Sequence, residues 1–264
     1  MPRSAAAVLR RAADGCADGL LAAEPLIRAN TLSPDGDTPV HDARVAVRRL
    51  RSVVRTFTRT LDEAWSRRVR ANLKWLADLL GAARDAEVLR ARLRATGDRL
   101  DVAAFDEALR ARAEAARTDL LAGLDSARLP LLVALLREPE FRGRAHRPAK
   151  KVLPRPVRQQ VRRYETAVAD LTRDSPIEQW HRVRILAKRA RYALDIAGHG
   201  RRAKELAKVQ SLLGEHQDAV VAARAWRELA PADPRTASRL VERELAAAQR
   251  AREAFLAAPS IPGR

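Results

Sequence analysis

Residues 40–57 read VHDARVAVRRLRSVVRTF, and 140 positions later residues 180–197 read WHRVRILAKRARYALDIA. Both stretches follow the pattern His, x, x, Arg, aliphatic, x, x, basic, Arg, x, Arg. A second matching pair follows in the same order, LLGAARDAEV at residues 79–88 and LLGEHQDAVV at residues 212–221. Two matches in one order predict an internal duplication, with a first repeat at residues 1–145 and a second at residues 146–264.

The two matching stretches predict amphipathic helices. Their apolar residues recur at alternating steps of three and four, which is the spacing of one helix face. Ala and Leu, both strong helix formers, dominate the apolar residues, so the chain is predicted to be all-α with about four bundled helices in each half. We expect the apolar seam to pack into the core; its members are Val40, Ala43, Val47, Leu50, Val54, Phe57 and Leu61, then Trp180, Val183, Ala187, Ala190 and Leu194.

Turn-forming residues predict where the helices end. Breaks are expected at residues 33–36, 81, 97–98, 174–176, 198–200 and 231–234, which are rich in Gly, Pro, Asp and Ser. Asp85 and Asp218 follow the two Leu-Leu-Gly motifs. If each glycine ended a helix, these carboxylates would cap the next one.

Each of the two repeated helices also carries a stripe of basic residues, whose positions are those of the apolar seam shifted by one residue. No acidic residue interleaves either stripe, so neighbouring cations repel one another. Arginine binds phosphoryl oxygens through paired charge-assisted hydrogen bonds, and a stripe from residue 41 to residue 51 spans about 15 Å. The stripes predict a site for a chain of phosphates; the alternative is a solvated face in an Arg-rich protein. The stripes contain His41, Arg44, Arg48, Arg51 and Arg55, then His181, Arg184, Lys188 and Arg191, with Arg49 and Arg189 beside them.

The overall charge also indicates an anionic partner. Fifty-one Lys and Arg against thirty-three Asp and Glu leave a net charge of +18, more than solubility requires. Residues 142–163 contain nine of these cations and no acid. In this segment Lys150, Arg155, Arg158 and Arg162 are predicted to wall the same site; a solvated linker and helix face explains them equally well.

Several other classes of protein are disfavoured. Cys16 is the single cysteine, which excludes an intrachain disulfide and is typical of a reducing compartment. No apolar stretch is long enough to span a membrane. The signatures of zinc proteases, phosphate loops, dinucleotide sites and serine hydrolases are absent from the sequence, and the remaining histidines lack metal-ligand spacing. We therefore predict no enzyme activity, no cofactor and no metal site.

These motifs resemble the CHAD family (conserved histidine α-helical domain), which is known for binding inorganic polyphosphate. The resemblance rests on the stretch from His41 to Arg51, on the Leu-Leu-Gly motif ending in Arg84 and Asp85, and on WHRVR with KRARY at residues 180–192. It covers nearly the whole chain. It implies two four-helix bundles related by a pseudo-twofold axis, whose His/Arg helices approach each other and line a central basic groove or pore.

The chain departs from its relatives in two respects. Gln217 stands in the second half where the first has Arg84, so this position is not expected to contact ligand in both halves. Many relatives carry a CYTH triphosphatase-type domain, for which 264 residues leave no room. We therefore expect a stand-alone module that does not hydrolyse its ligand.

The predicted function is non-catalytic binding of inorganic polyphosphate, in the cytoplasm and on polyphosphate granules. The alternative is nonspecific nucleic-acid binding through phosphate contacts, since the net charge attracts DNA and RNA. Stacking aromatics are scarce beside the stripes, which favours polyphosphate. A phosphotransfer role for His41 or His181 is disfavoured because neither has a carboxylate placed to orient it. Whether these histidines bind ligand or cap their helices stays open, as does the oligomeric state.

Overall fold

The structure is a computed structural model that describes residues 3–33 and 38–258. Within these residues the chain is all-α, as predicted, with ten α-helices and no β-strand beyond two isolated bridges. The helices are α1 (Ala5–Ala29), α2 (Pro39–Thr56), α3 (Glu63–Thr96), α4 (Ala103–Asp125), α5 (Arg128–Arg137), α6 (Ala149–Val152), α7 (Pro154–Ala169), α8 (Ile177–Ile196), α9 (Gly200–Glu228) and α10 (Pro234–Ala257).

The apolar seams of α2 and α8 form the centre of the core. Every predicted seam residue of both helices is buried, and Trp180 and Phe57 are each only 1% exposed. A side-chain cap starts α2, where the Thr38 hydroxyl accepts a hydrogen bond from the backbone N of His41 at 3.2 Å. The helical periodicity of the sequence therefore identified the buried face correctly.

The helices pack in the same order in the two halves. In the first half α1 packs on α2, α2 on α3 and α3 on α4; in the second, α7 packs on α8, α8 on α9 and α9 on α10. The two His/Arg helices, α2 and α8, also pack directly against each other. This order is what a duplicated chain would give, although the duplication itself stays a prediction.

The joint between the halves is packed rather than free. Ala145, at the predicted boundary, is fully buried in a 3₁₀ turn. The backbone N of Ala5 donates to the carbonyl of Arg147 at 3.0 Å, and the backbone N of Ala149 donates to the carbonyl of Arg3 at 2.8 Å. These two backbone hydrogen bonds hold residues 147–149 of the joint against the start of α1.

The prediction that the Leu-Leu-Gly motifs end helices is wrong. Helix α3 continues through Gly81 and α9 through Gly214, so Asp85 and Asp218 lie in mid-helix and cap nothing. The breaks predicted at residues 97–98, 174–176, 198–200 and 231–234 all separate helices. Of the break predicted at residues 33–36, residues 34–36 lie outside the described residues.

A second apolar cluster joins the far ends of the two halves. It contains Phe105 from α4 and Trp226 from α9, whose rings meet edge to face at 6.3 Å. Beside it, Arg92 of α3 donates from Nε to Glu244 of α10 at 2.5 Å and from Nη2 to Glu215 at 2.9 Å. Glu244 is fully buried, so Arg92 neutralises a carboxylate that has no access to water.

Candidate functional site

The packing of α2 against α8 brings cations of the two stripes together. Arg48 of α2 donates from Nε to the hydroxyl of Tyr192 on α8 at 3.0 Å. The pKa of Lys188 falls to about 6, first because the amine is buried and then because Arg184, Arg48 and Arg44 repel its charge. We call Arg44, Arg48, Arg184 and Lys188 the central cluster.

Two carboxylates from α3 and α9 partly neutralise the central cluster. Nη2 of Arg44 lies 3.3 Å from Oδ1 of Asp85, and Nη2 of Arg184 lies 4.0 Å from Oδ1 of Asp218. The sequence did not identify these acids as partners, because they lie on neighbouring helices and not within the stripes. Three guanidiniums against two carboxylates leave the cluster with excess positive charge even while Lys188 is neutral, and protonation of Lys188 adds to it.

Two donors of the central cluster have no protein acceptor. Nε of Arg184 is buried without a hydrogen-bond partner. Its burial lowers the pKa of Arg184, while the nearby Asp218 carboxylate acts in the opposite direction. No hydrogen bond or ion pair is made by the Lys188 amine to any residue in the described ranges. An anion placed here would satisfy both groups.

The glycine of the first Leu-Leu-Gly motif makes room for Arg44. Gly81 is buried in α3, and a methyl group on its Cα would lie 2.7 Å from Nη1 of Arg44. The equivalent Gly214 has no atom within 4 Å of the same position. Gly81 therefore lets the guanidinium of Arg44 approach α3 closely, beside Asp85.

The two motif histidines occupy different surroundings. His181 is exposed, and its Nδ1 lies 2.7 Å from Oε1 of Gln217. His41 is half-buried at the start of α2. In the first half Arg84, which corresponds to Gln217, donates instead to Glu87 at 2.9 Å and to the Thr38 hydroxyl at 3.1 Å. The Arg84/Gln217 departure thus changes local hydrogen bonding around the two helix starts.

Other predicted site residues along α2 and α8 make contacts within the protein. Arg49 forms an ion pair across the two helices with Asp195, at 2.7 Å. Arg191 donates to Gln210 at 3.1 Å and lies over the Tyr192 ring, 5.5 Å from its centroid. Arg51 is half-buried between the central cluster and the end of α2.

A large basic cleft lies where α2 ends against α7. Its volume is about 1260 Å³, and Arg55 from the stripe lines it together with the predicted Arg155, Arg158 and Arg162. The sequence analysis did not name four basic residues of this cleft. His199 and Arg202 lie at the start of α9, far along the chain from α2 and α7, and Arg59 and Arg163 follow no helical pattern in the sequence. We call this site the α7 cleft.

A second cleft of about 860 Å³ lies beside α1. It contains the predicted Lys150, and its other cations include Arg3, Arg11 and the paired Arg49. Asp42 and Asp195 add two carboxylates to the same lining. We call it the α1 cleft. The basic segment at residues 142–163 is therefore divided, since Lys150 lines one cleft while Arg155, Arg158 and Arg162 line the other.

His216 is a buried histidine with a structural environment. Its Nε2 accepts a hydrogen bond from Nε of Arg252 at 3.0 Å, and its ring lies 5.3 Å from that of Trp180. Burial lowers the pKa of His216 to about 4, so it is neutral at physiological pH.

Over residues 3–33 and 38–258, no three His, Cys, Asp or Glu side chains are grouped as a metal site requires. No helix in those ranges is long and apolar enough to cross a membrane.

Comparisons with known proteins agree with this architecture. The family model of the CHAD domain matches residues 11–227. PptA from Streptomyces chartreusis has a similar fold, with a TM-score of 0.76 and 23% identity, covering 96% of this chain and 98% of that one. The crystal structure of the CHAD domain from the plant Ricinus communis has a TM-score of 0.72 and 26% identity, covering 99% and 94%.

A curated relative is longer than this chain. The uncharacterized protein Rv2226 of Mycobacterium tuberculosis is 31% identical over 83% of this chain and 45% of its own length. The chain therefore spans less than half of that relative.

Proposed function

Since the chain belongs to the CHAD family, we propose that it binds inorganic polyphosphate and catalyses no reaction on it. The ligand lies along the two His/Arg helices, with the central cluster as its main contact. The predicted ligand residues on the two stripes remain part of this proposal, from His41 to Arg55 on α2 and from His181 to Arg191 on α8. We further propose that this binding holds the protein on polyphosphate granules in the cytoplasm.

The observation that carries this proposal is the group of under-neutralised basic side chains where α2 meets α8. Arg184 has a buried Nε without a partner, and Lys188 is placed among three guanidiniums that depress its pKa. Such an arrangement is unfavourable in the empty protein, because like charges repel more strongly away from water. The negative charge of phosphoryl oxygens relieves this repulsion, and the oxygens accept hydrogen bonds from the donors that lack a protein partner.

The side chains around the two stripes favour a phosphate chain without nucleobases over a nucleic acid. The aromatic rings nearest the stripes are those of Trp180, Tyr192 and Phe57, which are 1%, 4% and 1% exposed. Proteins that bind single-stranded nucleic acid stack bases on exposed aromatic rings. The rings here are packed in the core, so the stripes offer charge and hydrogen bonds but no stacking surface.

A competition titration tests this function. Long-chain polyphosphate, duplex DNA and single-stranded RNA compete for the protein at matched phosphate concentration and fixed, near-physiological salt, because affinity for any polyanion depends on salt. We expect polyphosphate to win by at least tenfold, about 1.4 kcal/mol. Parity, or a preference for nucleic acid, would mean that the protein is a general phosphate-binding surface.

A pair of variants locates the binding. Arg48→Gln with Arg184→Gln removes two charges from the central cluster, whereas Arg68→Gln with Arg94→Gln removes two exposed charges from α3. The first pair should lower polyphosphate affinity at least tenfold and the second less than threefold. Equal losses in the two pairs would contradict a dedicated site at the central cluster.

A further inference from the structure

The α7 cleft contains the densest group of unpaired arginines described in the protein. Seven arginines line it, against the single carboxylate of Glu165. In the part of the chain that the structure describes, none of the seven forms an ion pair, although arginines elsewhere pair repeatedly with Asp and Glu. Nε of Arg202 is also buried without a hydrogen-bond partner. With seven arginines and one carboxylate, this cleft has proportionally less counter-charge than the α1 cleft, where two carboxylates face four Lys and Arg side chains.

A comparison at the 140-residue offset shows that the missing counter-charge is specific to this side. Arg49 corresponds to Arg189, and Asp195 corresponds to Arg55. On the α1 side Arg49 pairs with Asp195 at 2.7 Å. On the α7 side the same two positions are Arg189 and Arg55, and the pKa of Arg189 is lowered by burial and by the charges of Arg55 and Arg163. An ion pair on one side is thus replaced by like charges on the other.

The α7 cleft and the central cluster lie along the same stripe of α2. Arg55 lines the cleft, Arg48 belongs to the cluster, and the half-buried Arg51 lies between them on the same stripe. Seven residues of helix separate Arg48 from Arg55, about 10 Å along the axis. A flexible chain of phosphates can therefore follow one helix face from the cluster into the cleft.

The dimensions and lining of the cleft identify the class of ligand. Its volume of about 1260 Å³ is larger than a single phosphate or a short oligophosphate fills. Its one aromatic side chain, Phe57, is only 1% exposed, so it offers no surface for stacking a base. An unbranched polyanion without bases fits both features.

We propose that the α7 cleft is a second polyphosphate subsite, which long chains occupy together with the central cluster and short chains do not. This inference rests on the proposed function and adds a preference for chain length. When one chain occupies two linked subsites, the second contact is intramolecular, and affinity rises by roughly 10²- to 10⁴-fold without any new type of contact. We expect no such role for the α1 cleft, because Asp42 and Asp195 oppose its four Lys and Arg side chains and Asp195 pairs with Arg49.

Two matched triple variants test the proposal. Arg155→Gln, Arg158→Gln and Arg162→Gln remove three exposed charges from the α7 cleft. Arg3→Gln, Arg11→Gln and Arg68→Gln remove three exposed charges outside the α7 cleft, two of them from the α1 cleft; we call this the α1 triple variant. The two variants have the same net charge, so a difference between their affinities depends on where the charges were removed and not on how many were removed. Dissociation constants are measured for tripolyphosphate and for long-chain polyphosphate at one fixed salt concentration.

We expect the α7 triple variant to lose at least tenfold in affinity for the long chain and less than threefold for tripolyphosphate. The α1 triple variant should lose less than threefold for both. Equal losses in the two triples would overturn the subsite, because charge alone would then explain them. A normal α7 triple beside a defective Arg48/Arg184 variant would overturn the subsite and leave the proposed function intact. If wild type binds long polyphosphate no better than DNA, both proposals fail.

Discussion

Lys188 is expected to take up a proton when polyphosphate binds. In the empty protein its pKa is about 6, because the amine is buried and faces Arg184 on its own helix and Arg48 and Arg44 on α2. Asp218 on α9 is the carboxylate that opposes this effect. Bound phosphates would place negative charge beside the amine and raise its pKa. The charged form then becomes the stable form in the complex.

The size of this effect follows from the pKa. At pH 7.5 an amine with a pKa near 6 is only about 3% protonated, so binding should take up close to one proton. The affinity should then fall about tenfold for each pH unit above pH 6, and protonating the amine at pH 7.5 costs about 2 kcal/mol of binding free energy. Below pH 6 the amine is already charged, and the dependence should disappear.

Calorimetry measures the proton directly. Titration of polyphosphate at pH 7.5 in two buffers with different ionisation enthalpies gives the number of protons taken up. Wild type should show about one more proton than Lys188→Met, and the difference should shrink to about 0.2 at pH 5.5. An unchanged proton count in Lys188→Met would refute the reasoning, because another group would then carry the proton.

The ligand-free protein provides a second measurement. Between pH 6 and pH 10.5 the unfolded chain holds the Lys188 proton and the folded chain does not. The free energy of unfolding contributed by this residue should therefore rise with pH across this window, by up to about 1.4 kcal/mol per unit. Lys188→Met should flatten the rise, as measured by urea unfolding at several pH values.

Two further predictions concern the glycines and the buried ion pair. Gly214→Ala should stabilise α9 by up to about 1 kcal/mol and leave polyphosphate affinity unchanged; Gly81→Ala should stabilise less and weaken binding, because the new methyl displaces a guanidinium of the central cluster. Equal affinities in the two glycine variants would contradict this role. Arg92→Ala should cost about 3–5 kcal/mol of unfolding free energy, since it leaves the fully buried Glu244 without its cationic partner. Arg110→Ala, which breaks an exposed pair, should cost less than about 1 kcal/mol, and a similar loss in both would contradict the assignment.

Much of the fold and part of the site could be predicted from local patterns in the chain. The seam from Val40 to Leu61 is buried because a three-and-four spacing leaves an amphipathic helix one way to face the core. The same helical geometry placed Arg44 and Arg48 on one stripe. The helix ends at residues 97–98 and 198–200 were visible because glycine interrupts helical runs there. The Leu-Leu-Gly glycines were misinterpreted for the same reason, because α3 continues through Gly81 and α9 through Gly214.

By itself, the sequence determined the all-α fold, the two repeated cationic stripes and the excess of positive charge. These features depend on residue type and on the 3.6-residue helical period, both of which are local. Only the tertiary structure decided that Asp85 and Asp218 reach the stripes from other helices, that Lys188 is half-buried among arginines, and that Lys150 lies in a different cleft from Arg155. Such relations join residues distant in the chain, and their energies depend on burial and on neighbours from other helices.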